Sequence, residues 1–290
     1  MKTLLIGLGQ IGLGLIAPTF QKAGYAIVGT DANEDRLSAL RHGYILKTPS
    51  KVENINIDVE SMDKVTENFD LVVTSVGRKH LGKVAVWCQE KGIVAPVLMA
   101  ENLPDPVSFF PEQIPIVIDR ICPRIETQGS LLTVIAEDYY KIVSLQNPIT
   151  SSLAVVEAVE LKDSELSVES RRKQKMFTVN TCHVLAALFG QQFGCSLVEE
   201  SARHPEVVSR IMAVVSEVGP WLGFDSQGAA ARASEILLRF ANPIQDSLSR
   251  ILSTTNRTSA LRYIEIPLNG LRSLGIQAPV LEEAYLLLSS

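Results

Sequence analysis

The chain has 290 residues, 46% of them hydrophobic and 20% charged, and 27 Lys and Arg against 32 Asp and Glu give a net charge of −5. This is globular composition with length for two domains, and it argues against disorder. With no dense run of Lys and Arg it gives no nucleic-acid-binding face, and no uninterrupted apolar stretch is long enough to span a bilayer, so neither nucleic acid nor membrane is expected as a partner.

The first residues, MKTLLIGLGQIGLGLIAP, open like a signal peptide, but Gly7, Gly9, Gly12 and Gly14 weaken the apolar helix such a peptide needs, and no A-x-A site follows. Residues 2–7 read instead as a buried parallel strand ending in glycine. Gly7-Leu8-Gly9-Gln10-Ile11-Gly12 is G-x-G-x-x-G, followed by a predicted helix to about Ala23, Gly24, a second apolar strand Tyr25–Thr30, and Asp31. In such a unit Gly7 permits the tight turn and Gly9 lets the backbone approach a pyrophosphate. Gly12 lets helix and strand pack closely, and the helix N-terminus, opened by Gln10 and Ile11, faces the phosphates. Asp31 can accept hydrogen bonds from both ribose hydroxyls of an adenosine and would repel a 2′-phosphate, which favours NAD over NADP. The competing reading is a Gly-rich turn that binds nothing.

Residues 33–42 read as a helix ended by Gly43, and 44–65 as short strands in which Ile55, Ile57 and Val59 alternate. Residues 69–77 (FDLVVTSVG) are a strong strand whose end puts Thr74, Val76 and Gly77 on the cofactor side of the sheet. An amphipathic helix over 80–91 leads to a strand at 95–100 that runs into Glu101-Asn102. Strand C-termini line the ligand crevice of such sheets, so Asn102 is well placed, with a capping asparagine as the alternative. A brief helix is predicted over 106–112, with Asp105 as its N-cap. A strand over 114–123 carries Asp119 and Arg120 at its end, and strand-like text continues past Glu137. From about Leu166 strand signals vanish and helical periodicity dominates, with helices at 171–190, 197–201, 204–219, 226–240, 244–253 and 279–288. The expectation is an α/β chain: a Rossmann-type dinucleotide-binding domain over 1–165 and an all-α domain over 166–290, with ligand bound between them.

The stretch from Arg171 to Gly190 contains Lys175-x4-Asn180-x2-His183. At roughly 100° per residue, with Lys175 at zero, Asn180 falls near about 140° and His183 near about 80°. The three span less than half the helix circumference and could meet over one small molecule, a set suited to moving a proton on or off an alcohol. The alternative is solvated or core polar residues. The four cysteines show no CxxC spacing and read as reduced thiols of a cytoplasmic protein, not a disulfide frame or zinc site.

Several stretches together carry a family resemblance: the Gly-rich start with Asp31, TSVG at Thr74, AENL at Ala100, IDRICP at Ile118, KMFTVNTCH at Lys175 and RFANPIQDSLSR at Arg239. In these, in order and over nearly the whole chain, the sequence resembles the polyol-specific long-chain dehydrogenases. The resemblance implies that Lys175 is the general base, that Asn102 and Asn180 bind the reacting oxygen, and that His183 contacts the substrate hydroxyl. It makes Asp119 the acid of a D-R-I-x-P block and Arg250 an arginine of the substrate pocket, with neither zinc nor a catalytic tyrosine. The expected reaction is NAD-dependent interconversion of a sugar alcohol, free or phosphorylated, and its ketose, with mannitol 1-phosphate and fructose 6-phosphate as the specific pair, by a monomer or homodimer. The rival expectations are a hexuronate or 2-keto-acid type of dehydrogenase and a non-catalytic NAD(H)-binding sensor. The chain departs from the family in four ways. It is expected to end before the family's last helices. Arg172, Lys173 and Gln174 stand where an acid precedes the lysine. Thr258 stands in place of a substrate-holding lysine, with Arg257, adjacent, a candidate substrate-binding residue. Cys182 stands where glycine is usual.

Overall fold

In the computed structural model, residues 1–66, 68–101 and 108–289 are described. The first apolar run is strand β1 (Lys2–Ile6), buried from Thr3 onward. Strands β2 (Ala26–Thr30), β3 (Tyr44–Lys47), β4 (Val52–Ile55), β5 (Asp58–Val59), β6 (Leu71–Thr74), β7 (Val97–Met99) and β8 (Gln113–Ile114) follow. Six of these form one sheet in the order β5-β2-β1-β6-β7-β8, every neighbouring pair parallel. Counted along the sheet's own strands this is 3-2-1-4-5-6, the Rossmann order, and the reversal point where dinucleotides bind lies between β1 and β6. The turn after β1 starts at Gly7, whose φ of +96° only glycine adopts freely. Helices α1 (Ala17–Lys22), α2 (Glu34–Leu40) and α3 (Arg78–Glu90) complete this layer. Asn33 caps α2 by accepting from the Arg36 amide at 3.0 Å, as a side chain at a helix start must to satisfy an orphan donor.

Strands β9 (Ile116–Asp119), β10 (Arg124–Gln128), β11 (Leu131–Ile135), β12 (Lys141–Leu145) and β13 (Val159–Lys162) build two further sheets, β10-β11-β3-β4 and β13-β12-β9. Two expectations are corrected here. The single strand expected over 114–123 is two, because Pro115 has no amide to donate: β8 ends the parallel sheet and β9 opens another. The helix expected over 106–112 is not found in its described part, 108–112, where the Gln113 side chain takes the Phe109 and Phe110 amides at 2.6 and 3.0 Å; the Asp105 cap lies outside the described residues.

The rest is helical: α4 (Glu165–Lys175), α5 (Thr181–Gln192), α6 (Val198–Ser201), α7 (Pro205–Val218), α8 (Ser226–Phe240), α9 (Leu248–Ile251), α10 (Thr254–Ser273) and α11 (Pro279–Ser289). Contacts divide the chain into two compact units, Met1–Arg171 and Arg172–Ser290, so the division falls inside α4. The second unit is built around α5, whose residues from Thr181 to Gly190 are almost all buried. The twenty-residue α10 was not expected from the sequence; Pro267 inside it is the breaker that hides it. No described helix is long and apolar enough to cross a membrane.

Candidate active site

In the first unit the Gly-rich turn is held from several sides. Gly7 lies against β6: a Cβ there would sit 2.5 Å from the Ser75 carbonyl oxygen, and one on Gly12 would sit 2.2 Å from the Gly7 carbonyl oxygen. At Gly9 an added Cβ meets no protein atom within 4 Å. Packing therefore calls for glycine at 7 and 12 but not at 9, where the open face suits the approach of an external group such as a pyrophosphate. Gln10 is turned to the protein, Nε2 donating to the Pro123 carbonyl at 2.7 Å, and Ile11 packs on the core. A π-helical turn, Gly12–Ile16, follows. Asp31, at the end of β2, accepts from the Leu8 amide at 2.7 Å and the Asn33 amide at 2.9 Å, with Arg36 Nη1 3.3 Å away. It so ties the end of β2 to the Gly-rich turn, and a carboxylate has further lone pairs for ribose hydroxyls.

Across the reversal point, Thr74, Val76 and Gly77 share one partner that sequence reasoning passed over. Glu101 accepts from the Thr74 hydroxyl at 2.7 Å and from the Val76 and Gly77 amides at 2.7 and 3.3 Å. Gly77 (φ +80°) starts α3, so this carboxylate lies at the positive end of a helix. Asn102, its neighbour, lies outside the described residues. Asp119 is buried at the end of β9, opposite Lys141 in the ladder. The adjoining Arg120 donates to the Glu137 and Gly14 carbonyls and bolts this block to the π turn.

In the second unit, Lys175, Asn180 and His183 sit where α4 passes into α5 through a π-helical turn, Met176–Asn180. A π turn closes i→i+5 bonds, as the Thr181 amide does to the Met176 carbonyl. Residues five apart thereby come onto one side. Lys175 Nζ donates to Asn180 Oδ1 at 2.7 Å, which the roughly 140° separation on an ideal α-helix would not give. Within this turn the Thr178 hydroxyl donates to the Gln174 carbonyl at 2.6 Å, and Arg232 Nε of α8 donates to that hydroxyl at 3.2 Å.

Asn180 and His183 line a cavity of about 320 Å³ together with Arg250, Asn256, Ser259 and Tyr263, within the usual range for small-molecule sites. The last three come from α10. His183 Nε2 lies 2.9 Å from Asp246 Oδ2, and Arg250 grips the same carboxylate with Nε at 2.7 Å and Nη2 at 2.8 Å. Asp246 is fully buried. Burial raises its pKa, but the hydrogen bonds and charges of His183 and Arg250 outweigh that and hold it at about 2. Burial pushes the Tyr263 phenol up, partly offset by a hydrogen bond with Asn180. Arg257 is exposed and does not line the cavity; Nη2 donates to the Leu288 carbonyl at 2.8 Å, near the end of α11. Cys182 is buried, its thiol pushed up to about 12 by that burial, so it is packing and not a reactive group. Asp246, Asn256, Ser259 and Tyr263 were not singled out from the sequence. Asp246 was detectable, four residues before Arg250 in RFANPIQDSLSR.

No family model matches the chain. In sequence it is 27% identical over 295 aligned positions to a mannitol-1-phosphate 5-dehydrogenase of Arthrobacter sp. (strain FB24), covering 87% of this chain and 76% of the relative. In structure it is similar to Pseudomonas fluorescens mannitol 2-dehydrogenase, solved as a ternary complex with NAD and D-mannitol (TM-score 0.79, 17% identity, 99% of this chain and 79% of that one). A probable 2-dehydropantoate 2-reductase from Bacillus subtilis shares the fold less closely (TM-score 0.66, 15% identity, 100% and 99% covered). The expected resemblance therefore holds: the chain has the fold of the polyol dehydrogenases and is similar in sequence to mannitol-1-phosphate 5-dehydrogenases.

Proposed function

We propose that the protein is an NAD-dependent oxidoreductase that interconverts a sugar alcohol phosphate and its ketose phosphate, specifically mannitol 1-phosphate and fructose 6-phosphate, with Lys175 as general base and acid. The observation that carries this reading is the Lys175 Nζ–Asn180 Oδ1 hydrogen bond of 2.7 Å beside the cavity that Asn180 and His183 line. An amine held against an amide that itself shares a cavity wall with a histidine and an arginine is equipment for an alcohol. The similarity to mannitol-1-phosphate 5-dehydrogenases supports this choice of substrate.

The first unit would hold NAD through the turn Gly7–Gly12, with Asp31 on the adenosine ribose and the β6 end, Thr74 to Gly77, beside it. The open face at Gly9 fits this role. When bound, NAD supplies the acceptor for the hydride that leaves the alcohol carbon. The chain's own work is proton transfer and charge stabilisation. Neutral Lys175 takes the hydroxyl proton. Asn180 and Asn102 donate to the developing alkoxide, where preorganised donors are most effective. His183 and Arg250 hold neighbouring oxygens. In the reverse direction protonated Lys175 gives its proton to the ketose. The four free cysteines fit a reducing, cytoplasmic setting.

The test is NADH oxidation with fructose 6-phosphate, run beside fructose and fructuronate. Turnover of fructose 6-phosphate alone is expected, and Lys175→Ala should lose about a hundredfold or more in kcat with NADH affinity unchanged. A variant that keeps more than roughly a tenth of the rate removes Lys175 from the chemistry. Tight NADH binding with no turnover of any ketose would favour the sensor reading instead.

A further inference from the structure

The cavity of the second unit contains one group that no ligand would touch and that nonetheless touches two of its walls. Asp246 has no exposed surface, yet its carboxylate bonds His183 and, through two parallel bonds, Arg250. Its backbone is equally fixed: the Val198 amide donates to the Asp246 carbonyl at 2.9 Å, and the flanking Leu197 and Ser247 form an antiparallel bridge. Gln245, just before it, adopts φ +54°, a backbone conformation unusual for a residue with a side chain, and its amide donates to Glu199 at 3.1 Å. The chain thus spends conformational strain on bringing one carboxylate to one point.

That carboxylate is ionised and can only accept. The nitrogen of His183 facing it, Nε2, must therefore carry a proton. In the neutral ring the other nitrogen, Nδ1, is then an acceptor, and among the described residues no group hydrogen-bonds it. The Phe240 ring, its centroid 5.3 Å from that of His183, helps set the plane of the imidazole.

We propose that Asp246 is the positioning residue of the cavity: it locks His183 as the Nε2–H tautomer, so that Nδ1 accepts a hydrogen bond from a ligand hydroxyl, while its grip on Arg250 orients that guanidinium along the same wall. On this reading the histidine is an acceptor that selects hydroxyl over carbonyl or ether oxygen at one ligand position, and Arg250 is the donor beside it. The inference rests on the proposed function only for the identity of the ligand; the tautomer is a property of the protein alone.

The experiment is long-range ¹⁵N–¹H NMR on histidine-labelled full-length protein. The chain has four histidines, so His183→Gln assigns the signal. Above the pH at which imidazole is charged, His183 should show a protonated Nε2 whose proton is resolved because the buried carboxylate shields it from exchange with water, and an unprotonated Nδ1. In Asp246→Asn that proton signal should be lost to exchange and KM for the polyol should rise roughly tenfold or more, with NADH affinity unchanged. Added to His183→Gln, Asp246→Asn should raise KM by less than it does alone, since only the part that acts through Arg250 is left. A wild-type spectrum with the proton on Nδ1, or an unaltered His183 signal in Asp246→Asn, overturns the inference. The wild-type spectrum decides even if the variant does not fold. If that tautomer is present and no ketose is turned over, it is the proposed function that fails.

Discussion

Three glycines of the first turn should separate folding from cofactor binding when each is changed to alanine. Gly7 combines φ +96° with a Ser75 carbonyl oxygen 2.5 Å from where the methyl would go. The left-handed backbone costs about 1–2 kcal/mol and the clash about 1–3 kcal/mol. Gly12 carries the clash alone, its methyl 2.2 Å from the Gly7 carbonyl oxygen. Gly9 has neither problem, so alanine there should stabilise by about 0.4–1 kcal/mol through the unfolded chain. At ~2–4 °C of Tm per kcal/mol, Gly7→Ala should melt at least about 4 °C below wild type and Gly9→Ala at or slightly above it. NADH titration should reverse the ranking. A methyl at position 9 stands where the pyrophosphate is to approach, and a clash of about 1–3 kcal/mol weakens binding roughly 5- to 150-fold. Thermal denaturation without cofactor, paired with NADH fluorescence titration, reads both quantities. A Gly9→Ala protein that binds NADH like wild type, or that melts as low as Gly7→Ala, would refute the assignment of this turn.

Arg250→Ala should raise KM and also lower Tm, because it takes away the guanidinium that pairs with the buried Asp246 carboxylate through two hydrogen bonds. Arg257→Ala should cost about 1 kcal/mol of stability through the lost Leu288 contact and leave KM unchanged; a matching KM rise in both variants would return Arg257 to the pocket. Cys182, with its thiol pushed up to about 12, should resist iodoacetamide in the native protein from neutral pH upward until the pH nears that value, and react freely once unfolded. Mass spectrometry of labelled peptides distinguishes this from a reactive thiol, which would label natively at pH 8.

The central strands of the parallel sheet, β1 and β6, were legible because they are buried on both faces and read as unbroken apolar runs, LLI before Gly7 and LVVT before Ser75. Strands with mixed faces were not. Strand β10 has most of its residues exposed, and β13 has none fully buried, so neither carries an apolar signal. In the helical unit, periodicity located α7 and α8 but not α10, which opens on Thr254-Thr255-Asn256 and contains Pro267 and Gly270. Gly270 is required there by packing, since a Cβ would lie 2.6 Å from the Trp221 ring. Losing α10 from the sequence reading meant losing Asn256, Ser259 and Tyr263, and with them one wall of the cavity.

The Lys175, Asn180 and His183 stretch shows how a spacing read from sequence can come with the wrong geometry. Spacing on an ideal helix left Lys175 and Asn180 on the same half of the cylinder but too far around it to bond. The π turn supplies the missing rotation, and nothing in hydrophobic periodicity reports a single wide turn, because Met176, Phe177 and Val179 are buried either way. What marks it is a polar residue in an apolar run. Thr178 has no exposed surface, and its hydroxyl spans from the Gln174 carbonyl to Arg232 on α8. A threonine there adds a donor to the Gln174 carbonyl, which a valine of the same shape would not. The five-residue interval between Lys175 and Asn180 and the buried threonine between them therefore belong together: the interval closes to a hydrogen bond across the wide turn, and the threonine is the polar residue inside that turn.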